Sequence, residues 1–230
     1  MTKLRRQAER EDEEKPCPLY WAYGMNLNFA QMRMRCPAAE PVMQPLVDEK
    51  GRRRRDARGR VILAPAKLYV PNGRLIFRGV ADVEPLNDSK RYVAGGIWRI
   101  TPECEEALDR LEGFPHFYHK AYLVLRLRDA RTGEWGDPER CMFYKMCESG
   151  YKDTPEDRGI SPPYLPYLDL IIDGYRDFGL DMSLLERAVR ESDKEADKTI
   201  KLRQRWVRRG QPKLVRDFKD ALKLNGKGRR

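Results

Sequence analysis

No apolar run in this chain approaches the about 20 residues needed to cross a bilayer, so no membrane-spanning helix is expected. The opening MTKLRRQAEREDEEK carries charge but no apolar stretch, and it does not read as a secretory signal. A soluble cytoplasmic protein, with no membrane partner, is the expectation. Cysteine is sparse. Cys17, Cys36, Cys104, Cys141 and Cys147 are odd in number and form no C-x-x-C pair, which argues against a disulfide framework or a zinc site. His116 and His119 are the only histidines, and no third ligand stands at a familiar spacing, so no metal is expected. No internal repeat is visible.

What is present suffices for one packed domain with an appendage. Of 230 residues, 40% are apolar and 10% aromatic, enough to bury a core. The net charge of +10 is unevenly placed. Residues 190–230 hold 15 Lys and Arg against six Asp and Glu, so nearly all the excess belongs to the C-terminal segment. The expected organisation is a charged arm over 1–17, a domain over 18–188 and a basic helical tail over 189–230.

Order is expected to begin near Pro18, with an apolar run ended by Gly24. Further strand candidates are 61–70, 75–83, 92–100, 121–128 and 141–146, with Leu123, Leu125 and Leu127 alternating along one face. Pro71-Asn72-Gly73 signals a turn. Thr101 can cap a helix with Pro102 at its first position and an apolar stripe through Cys104, Ala107, Leu108 and Leu111. Ser183 through Glu186 matches a capping box, opening a helix expected to reach Arg209. A last amphipathic helix would set Leu214, Phe218 and Leu222 on one face. The strands and helices do not alternate regularly, so a strand-rich α+β class is favoured over a doubly wound sheet.

Glu112 stands at the edge of the first helix's apolar stripe and is followed by Gly113, the usual residue past a helix end. A carboxylate there faces the negative end of the helix dipole, and partial burial pushes its pKa in the same upward direction. A general base at neutral pH needs that, because an unperturbed glutamate is a weak base. The alternative is a solvated acid at a frayed end.

The residues around Glu112 carry a resemblance. Gly96-Ile97-Trp98-Arg99-Ile100-Thr101-Pro102, then Leu108-Asp109-Arg110-Leu111-Glu112-Gly113-Phe114-Pro115 and Phe117-Tyr118-His119-Lys120, resemble the core signature of gamma-glutamylcyclotransferase-like proteins. Tyr20-Trp21-Ala22-Tyr23-Gly24-Met25-Asn26-Leu27 resembles that family's opening strand and substrate loop, and Met32 to Pro37 continues it. Leu75 to Pro85 resembles its central strand pair, and 167–180 its closing helix. The motifs run in family order over about residues 18–188.

The resemblance implies a small β-barrel-like sheet with flanking helices and no cofactor. It also implies cleavage of a gamma-glutamyl amide by attack of the glutamyl α-amine on its own γ-carbonyl, releasing 5-oxoproline and an amine. The family's catalytic Glu falls on Glu112 and its tyrosine on Tyr118, with Lys120 where a basic residue is common. Tyr23, Gly24, Met25, Asn26 and Leu27 would form the substrate loop, whose successive N–H groups can hold a carboxylate or an oxyanion. Alternatively, Asn26 only holds the turn, and Tyr118 is only a core tyrosine. Tyr144 is a further candidate for the same pocket. One departure is Met25, where the family usually has Ser. If the loop works through its backbone the change is tolerated; if the hydroxyl touches substrate, specificity changes.

Two basic segments remain. The tail interleaves cations with Trp206 and Phe218, which is compatible with binding a nucleic-acid backbone through residues 190–230, and equally with a solvated helix face. Arg52 to Arg55, with Arg58 and Arg60, reads as a flexible surface insertion. The alternatives to an enzyme acting on a small gamma-glutamyl compound are a non-catalytic, nucleic-acid-binding member of the fold and an enzyme acting on a macromolecular carrier.

Overall fold

The computed structural model describes residues 18–147 and 159–203. The first strand, β1 (Leu19–Ala22), is wholly buried, and a 3-10 turn at Met25–Leu27 follows it. Helix α1 (Phe29–Arg35) is capped by Asn28, whose side chain accepts the Gln31 N–H at 3.0 Å. The chain continues through β2 (Glu40–Pro41), β3 (Met43–Pro45), β4 (Leu63–Pro65), β5 (Lys67–Pro71), β6 (Gly73–Phe77), β7 (Ala81–Pro85) and β8 (Tyr92–Arg99). Then come α2 (Pro102–Glu112), β9 (Tyr118–Leu125), β10 (Glu139–Met146), α3 (Leu165–Phe178) and α4 (Met182–Arg203).

Six strands form the main sheet in the order β2-β8-β1-β10-β9, with β5 also paired to β8. Strands β2 and β5 share the outer edge of β8, β2 opposite Trp98 and Arg99 and β5 opposite Tyr92 to Gly96. Within this sheet only β1 and β10 run parallel. The path has two ends, so the strand-rich sheet with its flanking helices matches the α+β class expected and closes no barrel among the described residues. Prolines at Pro41, Pro65 and Pro71 end β2, β4 and β5, and a residue without an N–H cannot extend a ladder. Pro65 also explains why the expected strand 61–70 is two strands. The expected strand 75–83 is a hairpin, β6 against β7, folded at Gly79 with φ 79°.

Helices cover one face of the sheet. Phe29 of α1, Trp98 of β8 and Phe178 of α3 meet edge to face, with ring centroids 5.2 to 5.5 Å apart. Close approach of α3 requires Gly174, because a Cβ there would stand 2.5 Å from Leu27 Cβ and 2.7 Å from the Asn28 nitrogen. The 3-10 turn is therefore clamped between α3 and the sheet.

Helix α4 starts two residues earlier than a cap at Ser183 would set it. Asp181, not Ser183, is the cap, accepting the Ser183 N–H at 2.9 Å. The helix passes unbroken through residue 188. Val189, Ser192 and Ala196 are buried, Ser192 Oγ accepts the Phe77 N–H, and Glu191 and Glu195 pair with Arg91 and Arg74. Its early turns thus belong to the packed domain. The charged arm 1–17 and the basic stretch 204–230 lie outside the described residues.

The arginine-rich segment is folded, where a flexible insertion was expected. Bridges Val47 to Arg53 and Arg55 to Val61 make a narrow ladder. Its two turns use the same device: Asp48 accepts the Lys50 and Arg52 N–H groups, and Asp56 those of Arg58 and Arg60. Arg52 and Arg60 then close back onto those aspartates.

Candidate active site

The expected helix around Glu112 forms as α2. Thr101 Oγ1 accepts the Cys104 N–H at 3.3 Å, Pro102 occupies the first turn, and Gly113 ends the helix with φ 62°. Cys104 and Leu108 are buried, which turns the same face of the last turn inward and leaves Glu112 half-buried. A buried charged network fixes the helix from its flank. Lys120 Nζ donates to Glu105 at 2.6 Å and Asp109 at 2.8 Å, and the Tyr144 hydroxyl donates to Asp109 at 2.6 Å. Lys120 thus acts on α2 and not inside the cavity.

Glu112 faces a cavity of about 200 Å³. Tyr20, Tyr23, Gly24, Met25, Asn26 and Arg35 line it from the first segment of the chain, and Val80 and Ala81 from the β6–β7 hairpin. Leu111 and Glu112 close the helix side, and Tyr118, Tyr144 and Tyr167 complete the wall. Six of the seven residues expected at the site therefore meet there. Leu27 does not: its side chain is fully buried beneath α3. Tyr144 joins the cavity, as considered from the sequence. Tyr20, Arg35 and Tyr167 were not anticipated as site residues. The quoted run from Met32 to Pro37 contains Arg35, but nothing local in it marks that residue.

Asn26 is the hub. Its Nδ2 donates to Glu112 Oε1 at 3.1 Å and to the Tyr20 hydroxyl at 2.9 Å, and its Oδ1 accepts from Arg35 Nη1 at 2.6 Å. Leu27 and Asn28 N–H groups bond back to Gly24 and Met25 carbonyls, so Met25 and Asn26 hold the N–H groups that a helical turn leaves without an internal acceptor. Gly24 brings this loop against the hairpin: a Cβ there would lie 3.0 Å from Ala81 Cβ. Met25 Sδ stands 3.8 Å from Arg35 Nη2. Tyr118 and Tyr167 both engage the Ala81 backbone, Tyr118 donating to its carbonyl and Tyr167 accepting its N–H, each at 3.0 Å. Tyr118 thus lines the site without a hydrogen bond to Glu112.

Burial raises the Glu112 pKa, while the Arg35 charge and the Asn26 hydrogen bond oppose the rise. Burial likewise raises Tyr20, Tyr23, Tyr118 and Tyr144 well above an ordinary phenol, and holds Tyr167 at about 12. At neutral pH the tyrosines are uncharged donors or acceptors. Among the described residues, Glu112 is the one carboxylate lining the cavity, and so the group there that can exchange protons with a bound molecule.

A second, wider cavity of about 430 Å³ adjoins the first and shares Val80, Leu111, Glu112 and Tyr118 with it. Arg110, Phe117 and Met146 extend its lining, and Leu111 and Phe117 are largely exposed. His119 lies apart from both, its Nδ1 3.7 Å from Cys147 Sγ. Among the described residues no three metal-ligating side chains gather, and no helix is long and apolar enough to cross a membrane.

No protein-family model matches the chain, and no curated protein does. Solved structures do. A gamma-glutamyl cyclotransferase is similar over 74% of this chain and 85% of its own, at 18% identity and a TM-score of 0.46. An uncharacterized protein from Homo sapiens is similar over the same shares, at 18% identity and a TM-score of 0.44. YkqA from Bacillus subtilis is similar over 82% of this chain and 58% of its own, at 16% identity and a TM-score of 0.49. The likeness is one of fold.

Proposed function

We propose that the chain is a cyclotransferase that cleaves a gamma-glutamyl amide by internal attack, with Glu112 as its acid and base. The observation that carries this reading is Glu112 itself: a carboxyl at a helix C-terminus, with a raised pKa, on a small cavity that it shares with five tyrosines, the loop after β1 and Arg35.

The reaction asks little of the protein. Glu112 takes a proton from the substrate's α-ammonium, and the freed amine attacks the γ-carbonyl carbon to close a five-membered ring. The same carboxyl passes this proton, and the second one shed by the ring nitrogen after the attack, to the leaving nitrogen, which departs as an ammonium ion as the amide C–N bond breaks. No water is consumed and no net proton is released. Because the nucleophile is tethered, orientation alone can supply an effective molarity of about 10⁵–10⁸ M. A narrow cavity favours the folded-back substrate over the extended one. The Met25 and Asn26 N–H groups support the reading of the loop as a hydrogen-bonding cradle, which works without the side chain at position 25. The wider cavity on the far side of Glu112 and Tyr118 is the exit for the leaving amine.

The test is release of 5-oxoproline from a panel of gamma-glutamyl amines and dipeptides. Wild type should turn over at least one, and Glu112→Gln should lower kcat by about 10²–10⁴-fold with little change in KM. Equal turnover by both would remove Glu112 from the mechanism.

A further inference from the structure

Arg35 ends α1, lines the smaller cavity, and is compensated differently from Arg74, Arg78 and Arg91. Arg74 pairs with Glu84 and Glu195, Arg78 with Asp82 and Glu84, and Arg91 with Glu191. For Arg35, among the described residues, the polar partners are neutral: the Asn26 amide oxygen and the Met25 sulfur. A guanidinium carries five N–H donors in a planar fork suited to a carboxylate, and Asn26 takes only one of its nitrogens. The amide of Asn26 also stands between Arg35 and Glu112, accepting from one and donating to the other. Direct pairing of the cation with the base would occupy both. The spacer leaves the cation's remaining donors for a ligand.

Resting on the cyclotransferase reading, we propose that Arg35 receives the substrate's α-carboxylate, so that the site selects gamma-glutamyl compounds in which this group is free over those in which it is amidated. The carboxylate lies two bonds from the α-nitrogen, and Arg35 is one amide away from Glu112, so an anchor here sets the α-amine beside its base. The bound carboxylate also offsets the Arg35 charge, one of the two influences that hold the Glu112 pKa down.

The experiment compares a gamma-glutamyl amide with its α-carboxamide counterpart, in the wild type, Arg35→Met and Arg35→Lys, each checked for folding by thermal melting. Wild type should favour the free carboxylate in kcat/KM by about 10–100-fold, the worth of a charge-assisted contact. At a pH above the acid limb, Arg35→Met should lose that preference by slowing the carboxylate substrate far more than the carboxamide, and Arg35→Lys should recover part of it. If Arg35→Met slows both substrates equally and the preference survives, Arg35 merely holds Asn26 and the proposal is overturned. If the wild type cyclises neither compound, the cyclotransferase reading fails separately. Calorimetric binding of 5-oxoproline and of 5-oxoprolinamide then decides. Preference for the acid that disappears in Arg35→Met upholds the anion site, and absence of any preference overturns it.

Discussion

Asn26 and Glu112, 86 positions apart, are joined by a 3.1 Å hydrogen bond from the amide nitrogen to the carboxylate. The bond links two elements that form independently, the turn after β1 and the C-terminus of α2. It makes the state of Glu112 depend on the placement of the loop.

Glu112→Gln should make the protein more stable at neutral pH. The folded-state pKa of Glu112 is raised above the value of 4.5 taken for the free group, so the native state binds more protons than the unfolded state between the two values. Stability therefore falls as pH rises through that window, and the wild type carries the penalty above it. Melting temperatures measured from pH 4 to 8 should show the variant gaining on the wild type as pH rises and matching it toward the acid end. A constant difference would mean that the burial is not felt.

Arg35→Met should move the acid limb of the kcat/KM profile to higher pH. The Arg35 charge lowers the Glu112 pKa, and removing it leaves burial less opposed. Arg35→Lys, which keeps the charge, should leave the limb near its wild-type position. An unmoved limb in Arg35→Met would show that the essential ionisation belongs to another group.

Leu111→Asp should discriminate among leaving groups. Leu111 and Phe117 offer exposed apolar surface beside the wider cavity. For gamma-glutamyl compounds with a large apolar amine, kcat/KM should fall by about 10-fold, while a glycine leaving group should be nearly unaffected. Uniform losses across the panel would place the leaving amine elsewhere.

Gly174→Ala tests the clamp on the loop from outside the cavity. The added methyl meets Leu27 and the Asn28 backbone, and overpacking of this kind costs about 1–3 kcal/mol. Urea denaturation should register the loss. Turnover should fall too, because the displaced backbone carries Met25 and Asn26. Full activity in a destabilised variant would show that the loop is held by its other contacts.

Short-range chemistry was legible in the residues alone. Thr101, Pro102 and Gly113 act within one helical turn of α2, and Asn72, with φ 56°, sits in the expected turn between β5 and β6. The hairpin at Gly79, the break at Pro65 and the cap at Asp181 were open to competing local readings, and neighbouring strands and helices decided among them. The folded arginine ladder needed its two aspartate turns to stack, which single-residue composition does not express.

By itself, the sequence determined that Glu112 closes an amphipathic helix and that a glycine-bearing loop follows the first strand, since both depend on neighbours a few positions away. Only the tertiary structure decided that Asn26, Arg35, Tyr20 and Tyr167 surround that carboxyl, and that Leu27 does not. The physical reason is packing: α3 meets the loop at Gly174, burying Leu27 and turning Asn26 toward a helix end that nothing in its own segment specifies.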